Sequence, residues 1–423
     1  MSNPLSALLA DQGFVLLDGA QGTELERRGV YFGASKLWSA QLLIDNPDLL
    51  REVHLDYLRA GSDVITTFTY QASIQGFAQD GVAGPRAAQL LNLAVDLAEA
   101  ARAQYLAESL RDSGGGDCGK HVDRDSGFGG RGSGGGGGAD KGSEAEENKQ
   151  QQPEDVVGSS CSSSSGRRSG RGGRRRPLVA YSCGSYGGYL ADGSEFRGDY
   201  ADSVSYQDLA DFHRARIEPV RHRPEIDLLA FETIPCLKEA EAIVRLLREE
   251  RYGKPAWISF SCKDAVHTCH GERFAEECMP LLAAAAAEGL LAAAGVNCTA
   301  PRHVAPLLTA ARRRLASLQP SSPPPSGGLQ PPQPSPAPLL LLCYPNSGED
   351  WDGEHRCWRH LADDLAAPSR FAAAGAGWVR GETRVALLGG CCRTGAEHIR
   401  ALRCALLERK EEEEVKEGGL HGC

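Results

Sequence analysis

Short apolar runs alternate with longer mixed stretches along this chain. Eight runs stand out as candidate strands: 14–18, 63–67, 178–181, 227–231, 256–260, 291–296, 339–343 and 385–388. Each is brief, largely apolar and often β-branched or aromatic, as expected of strands buried on both faces of a parallel sheet. Between them the apolar positions recur at helical spacing. Asn46-Pro47-Asp48 is a helix start, with Asn as N-cap and Pro at the first helical position. Leu49, Leu50, Val53, Tyr57 and Leu58 then share one face until Gly61 ends the element. Residues 87–110 and 238–250 show the same pattern. Strand and helix alternating eight times predicts an α/β protein built as a (β/α)8 barrel of one domain. A doubly wound sheet is the alternative, because periodicity does not show closure.

Composition separates fold from filler. The chain holds 50 glycines in 423 residues, about 12% against an ordinary share of about 7%. Most of the excess falls in 111–176, where Gly, Ser and Arg runs leave almost no large apolar residue to offset ordering entropy, so this insert is expected to be disordered. A second insert, 319–338, is rich in Pro and Ser and reads as an extended linker. The acidic run in 411–423 reads as a solvated tail. The barrel is thereby expected to comprise 1–110 and 177–410.

The net charge of −10 excludes a general nucleic-acid binder, which carries a basic footprint. The Arg/Gly stretch 167–176 lacks interleaved aromatics for base stacking and reads as a solvated linker. No run approaches the roughly 18 apolar residues of a membrane span, and Met1 to Asp11 lacks the basic start of a signal peptide. A cytoplasmic protein is expected, with its 14 cysteines mostly reduced.

Polar residues cluster directly after the strands: Asp18-Gly19, Thr66 to Gln71, Ser182 to Glu195, Glu232, Lys263-Asp264, Asn297-Cys298, Tyr344 to Glu349 and Gly389 to Cys392. In a barrel these converge on the C-terminal face, where active sites sit. Three of the cysteines arrive there from two strand ends, Cys298 and the vicinal pair Cys391-Cys392. Three thiolates suit Zn²⁺, leaving one tetrahedral position open as in catalytic sites. The spacing is long and has no Cys-x-x-Cys, so on spacing alone a metal and a set of small buried hydrophobes both stay open. Cys183, Cys236, Cys262, Cys343 and Cys404 read as buried hydrophobes. His267, Cys269 and His270 are too compact for tetrahedral ligation and read as an exposed polar loop.

Taken together, several blocks resemble the homocysteine S-methyltransferase family. They are Asp18-Gly19-Ala20-Gln21-Gly22-Thr23-Glu24, Thr67-Phe68-Thr69-Tyr70-Gln71-Ala72-Ser73, the 187–195 segment with Ala-Asp-Gly-Ser-Glu, Phe231-Glu232-Thr233, Gly295-Val296-Asn297-Cys298, Tyr344-Pro345-Asn346-Ser347-Gly348-Glu349 and Gly389-Gly390-Cys391-Cys392-Arg393. The resemblance runs through all eight strands and is most similar to the plant-type, S-methylmethionine-using branch. It implies one zinc ion held by Cys298, Cys391 and Cys392, and methyl transfer from a sulfonium donor, S-methylmethionine or S-adenosylmethionine, to homocysteine. It further implies that Asp18 and Glu232 hold the homocysteine ammonium while backbone N–H groups around Gly19 to Gln21 receive its carboxylate, with Asn297 also on the substrate.

Without the family, Asp18-Gly19 is equally an ordinary turn and Glu232 a rim ion-pair partner. Trp38 and Tyr70 are candidates to face a sulfonium by cation–π contact, or to pack under the rim. Alternatives are a betaine-type onium methyltransferase on the same barrel and a non-catalytic zinc-binding barrel. The folate and cobalamin modules of related synthases have no room here. The chain is expected to act as a monomer or small homo-oligomer, with no nucleic-acid or membrane partner.

Overall fold

The computed structural model describes residues 3–32, 37–114, 175–318, 338–352 and 357–418. Eight strands form the sheet: β1 (Val15–Leu16), β2 (Val64–Thr66), β3 (Leu178–Gly184), β4 (Leu228–Ile234), β5 (Ala256–Phe260), β6 (Leu291–Asn297), β7 (Leu340–Tyr344) and β8 (Leu387–Leu388). All neighbours are parallel, in the order β1-β8-β7-β6-β5-β4-β3-β2. The pairing of β1 with β8 rather than with β2 distinguishes a nearly closed barrel from a doubly wound sheet. The eight helices that follow the strands are α1 (Pro47–Ala60), α2 (Gly84–Gly114), α3 (Tyr206–Ile217), α4 (Leu237–Glu250), α5 (Met279–Ala287), α6 (Pro301–Leu318), α7 (Pro368–Arg380) and α8 (Ala396–Gly418). Asn46 caps α1 by accepting from Leu49 N–H at 3.3 Å, and Gly61 ends it at φ 109°, as its sequence predicts.

Side chains alternate along the strands between two apolar layers. Leu178, Ala180, Leu228, Ala230, Trp257, Ala293, Leu342, Tyr344 and Leu387 fill one cluster inside the barrel, closed at its N-terminal end by Leu5 and Leu8 of a leading helix, Pro4–Gln12. Val179, Tyr181, Leu229, Phe231, Ile258, Val296 and Leu388 join the larger cluster beneath the helices. The period of two carries this inward face from Leu228 and Ala230 to Glu232, so the carboxylate reaches the barrel interior by strand geometry alone.

The seam between β1 and β2 has no strand pairing and is sewn by Asp63. Its N–H donates to Leu16 O at 2.7 Å. Its carboxylate accepts from Leu16 N–H at 2.9 Å, Gln12 Nε2 at 2.6 Å and Arg403 of α8 at 3.0 Å. At the other end of the seam Thr66 N–H donates to Asp18 Oδ2 at 2.7 Å.

Some expected boundaries shift. β3 and β4 run on through Gly184 and Ile234, because polar residues are tolerated where the inward face borders a cavity. β1 and β8 shrink to two residues each, since the chain then turns to deliver Asp18 and the two glycines Gly389-Gly390. The last helix continues to Gly418, into the acidic run expected as a tail, consistent with the helix-forming tendency of Glu and Lys. The expected inserts 111–176 and 319–338 lie mostly outside the described residues. Both join a helix to the next strand, α2 to β3 and α6 to β7, at the N-terminal end of the barrel. Among the described residues no helix is long and apolar enough to cross a membrane.

Removing the Asp63 carboxylate strands three donors at the seam. Asp63→Ala is expected to lower unfolding stability by about 3 kcal/mol, with Asp63→Asn losing less because it keeps an acceptor; urea unfolding of the three proteins reads this.

Candidate active site and metal centre

The strand C-termini open into a cavity of about 550 Å³, lined among others by Asp18, Gly19, Gln21, Trp38, Tyr70, Glu195, Glu232, Thr233, Asn297, Cys298, Cys391 and Cys392. Every sequence-predicted site residue therefore lies on one cavity. No Lys, Arg or His is among the described residues that line it.

The three cysteines meet although they come from β6 and from the turn after β8. Cys391 Sγ lies 2.9 Å and Cys392 Sγ 3.3 Å from Cys298 Sγ, and all three sulfurs fall within 4.8 Å of one another. The loop after β7 frames them through the backbone. Tyr344 O accepts from Cys298 N–H at 3.0 Å, Pro345 O accepts from Cys391 N–H at 2.8 Å, and Ser347 N–H donates to Cys392 O at 3.1 Å. Gly390 has no room for a side chain, since a Cβ there would sit 2.1 Å from Thr394 Oγ1. Crowding splits the thiol acidities: the two neighbours donating to one sulfur hold Cys392 well below the ordinary thiol range, while Cys298 and Cys391 are pushed well above it. Three soft sulfurs this close, on a cavity wall, fit one thiophilic divalent ion, which Cys298, Cys391 and Cys392 would hold.

The two carboxylates are held in place rather than left free. Asp18 accepts from Thr66 N–H and, at 3.0 Å, from Thr66 Oγ1. Burial pushes it up to about 8 despite those bonds, with Glu232 adding to the rise. Glu232 accepts from Ser182 Oγ and is likewise raised, first by burial. Gln21 is tied to the same threonine, its Nε2 donating to Thr66 O at 2.5 Å. Of the backbone groups expected to take a carboxylate, Ala20 N–H is already spent on Thr394 O at 2.8 Å. Asn297 faces the cavity but its Oδ1 accepts from Thr233 N–H and its Nδ2 donates to Thr233 Oγ1, both at 2.7 Å. It therefore shapes the site through the Thr233 turn.

Trp38 lies over Gly22 and against Phe32, ring centroids 4.2 Å apart, while Tyr70 packs on Gly184 and Gly188. Arg216 fixes the Tyr70 segment by donating to Gly184 O, Tyr70 O and Ala72 O at 2.7, 2.9 and 3.0 Å.

The expected exposed loop at His267, Cys269 and His270 is corrected. Cys269 is buried, and the segment folds back through bridges of Cys262 with Thr268 and His267 with Arg273. Its imidazoles sit beside Asp264 and Glu272 at 3.0 and 2.8 Å. Cys183, Cys236, Cys262 and Cys343 are buried as expected, whereas Cys404 is half-buried. Sequence reasoning also missed the strain around the cavity. Trp38, Ala191, Thr233 and Cys298 line it with positive φ, and Arg393 follows Cys392 with φ 70°. Such backbone is held at about 1–3 kcal/mol per residue.

The homocysteine S-methyltransferase family model matches residues 15–406. The chain belongs to the homocysteine S-methyltransferase family. Homocysteine S-methyltransferase YbgG of Bacillus subtilis is 33% identical over 402 residues, covering 95% of this chain and 96% of that one. Homocysteine S-methyltransferase 3 of Arabidopsis thaliana is 34% identical over 401 residues, covering 92% and 89%. Among solved structures, the metallated form of the Escherichia coli homocysteine methyltransferase MmuM is similar with a TM-score of 0.62 at 32% identity, covering 95% of this chain and 99% of that one. As a homocysteine S-methyltransferase family member the chain is a methyltransferase, and its barrel is the family's barrel.

The sulfur cluster makes a direct forecast for this family member. Elemental analysis of purified protein is expected to find one divalent metal ion per chain, and Cys298→Ser, Cys391→Ser and Cys392→Ser each to lose most of it.

Proposed function

We propose that this methyltransferase moves a methyl group from a sulfonium donor, S-methylmethionine before S-adenosylmethionine, to the sulfur of homocysteine, forming methionine, with Zn²⁺ as the metal on Cys298, Cys391 and Cys392. The observation that carries this reading is the lining of the cavity: three thiols and the carboxyl groups of Asp18, Glu195 and Glu232, with no cationic side chain among the described residues lining it. An entering cation favours the ionised form of such groups, so the wall suits net-positive substrates. Glycine betaine, a zwitterion of no net charge with a fixed carboxylate, fits it less well.

When bound, Zn²⁺ supplies positive charge that keeps a thiol of ordinary pKa near 8.5 ionised around neutrality. Asp18 and Glu232 take the homocysteine ammonium, each already oriented by Thr66 or Ser182. The N–H groups of Gly19 and Gln21 remain for its carboxylate. Trp38 and Tyr70 present ring faces to the donor cation. The thiolate lone pair forms the new sulfur–carbon bond as the donor's sulfur–methyl bond breaks, its electrons staying on the donor sulfur as a neutral thioether. No acid or base is needed at that step, so positioning supplies most of the rate. Every named group comes from one chain, and a thiol acceptor suits the reducing cytosol.

Methionine formation from homocysteine is expected to be fastest with S-methylmethionine when it is compared with S-adenosylmethionine and betaine on zinc-loaded protein. Turnover with betaine alone, or with none of the three, overturns the reading. The pH dependence follows from Asp18. Below about 8 it is protonated in the free protein, so an ammonium ligand must displace a proton on binding. Methionine affinity is therefore expected to rise with pH by up to about tenfold per unit toward pH 8, and Asp18→Asn to flatten that slope, as titration calorimetry would measure.

A further inference from the structure

Two acceptors on the cavity wall hold no substrate group in the chemistry above. Glu195 Oε2 and Gln71 Oε1 are both buried and have no hydrogen-bond partner among the described residues. Both residues line the active-site cavity. A buried carboxylate oxygen facing no donor is costly unless a ligand brings one.

Both are also firmly placed. Ser261 Oγ donates to Glu195 O at 2.8 Å, and a Cβ on Gly187 would come within 2.5 Å of Glu195 N, so backbone and backbone are in contact. The segment around Glu195 is pinned to α4 on both sides. Tyr186 N–H donates to Glu239 Oε1 at 2.8 Å, Tyr200 OH donates to Glu239 Oε2, and Lys238 Nζ donates to Ala201 O at 2.6 Å. Gln71 lies between Tyr70 and Ala72, whose carbonyls Arg216 grips. Arg197, the nearest cation in sequence, is engaged with Asp199 at 3.0 Å. The two acceptors are thus rigid and await a positively charged hydrogen-bond donor.

A sulfonium centre has no N–H or O–H to give. The amine of an amino-acid sulfonium does, and the homocysteine amine is already provided for by Asp18 and Glu232. We propose that Glu195, assisted by Gln71, binds the α-ammonium group of the methyl donor and so selects an amino-acid sulfonium over an onium compound lacking the amine. This rests on the methyl transfer proposed above and deepens it, by assigning the donor's recognition to named residues.

The test compares S-methylmethionine with its desamino analogue, 4-dimethylsulfoniobutanoate, as donors to homocysteine on the zinc-loaded full chain. The two differ only in the amine. The wild type is expected to prefer S-methylmethionine in kcat/KM by about 100-fold, the worth of a charged hydrogen bond, mainly through KM. Glu195→Gln is expected to shrink that preference to within about fivefold, and Gln71→Leu to shrink it less. Because each preference is a ratio within one preparation, an inactive fraction cancels. A wild type that uses both donors equally, or a Glu195→Gln protein that keeps the full preference, overturns the assignment while leaving the methyl transfer intact. A wild type that uses neither donor overturns both.

Discussion

Closing the barrel across the gap between its first two strands is the constraint on which the site depends. The sheet alone would leave β1 and β2 as separate edges, each with unpaired backbone groups. Asp63 joins them at the N-terminal side and the Asp18–Thr66 pair at the C-terminal side. The second of these bonds is at once a structural stitch and part of the site, because the carboxylate that closes the seam is the one turned toward the cavity. Only with the cylinder shut does Asp18 face Glu232 across it, and only then does the turn after β8 come back beside β1, where Gly390 N–H donates to Asp18 O at 3.0 Å.

How much of this was legible in the chain varied with the physics involved. Strand positions could be read because buried parallel strands are short apolar blocks, and Ala256–Phe260 matches its run residue for residue. The ends of β3 and β4 could not, because Ser182, Glu232 and Thr233 break the apolar pattern where the barrel interior turns polar. Closure itself was invisible to periodicity, as it rests on Asp63, 47 residues from its partner Leu16, and on the Asp18–Thr66 pair, 48 residues apart. Among site residues, types were readable and commitments were not. Asn297 and Ala20 looked available, yet each spends polar groups on a neighbour that only the fold brings near. The strained turns at Thr233 and Cys298 left no trace in residue type, since neither is glycine. The Tyr-Pro-Asn-Ser-Gly-Glu block carries family likeness in its residue types, whereas in the fold its main chain holds both cysteine segments.

The cavity also shows how a protein can store a charge problem that its ligands solve. Burial is what raises Asp18 and Glu232, and hydrogen bonding within the sulfur cluster together with burial is what raises Cys298 and Cys391. Each cation that enters lowers the cost of the ionised groups around it. On the chemistry proposed above, metal and ammonium binding would be parts of one neutralisation, with acceptors set out in advance.

Both long insertions leave from helix-to-strand connections at the end of the barrel opposite the strand termini that carry the chemistry. Lengthening a tethered loop costs only about 0.6 kcal/mol for each doubling of its length. Added chain at those two junctions therefore costs the barrel little, and both junctions start and finish on described residues remote from the strand C-termini that line the cavity.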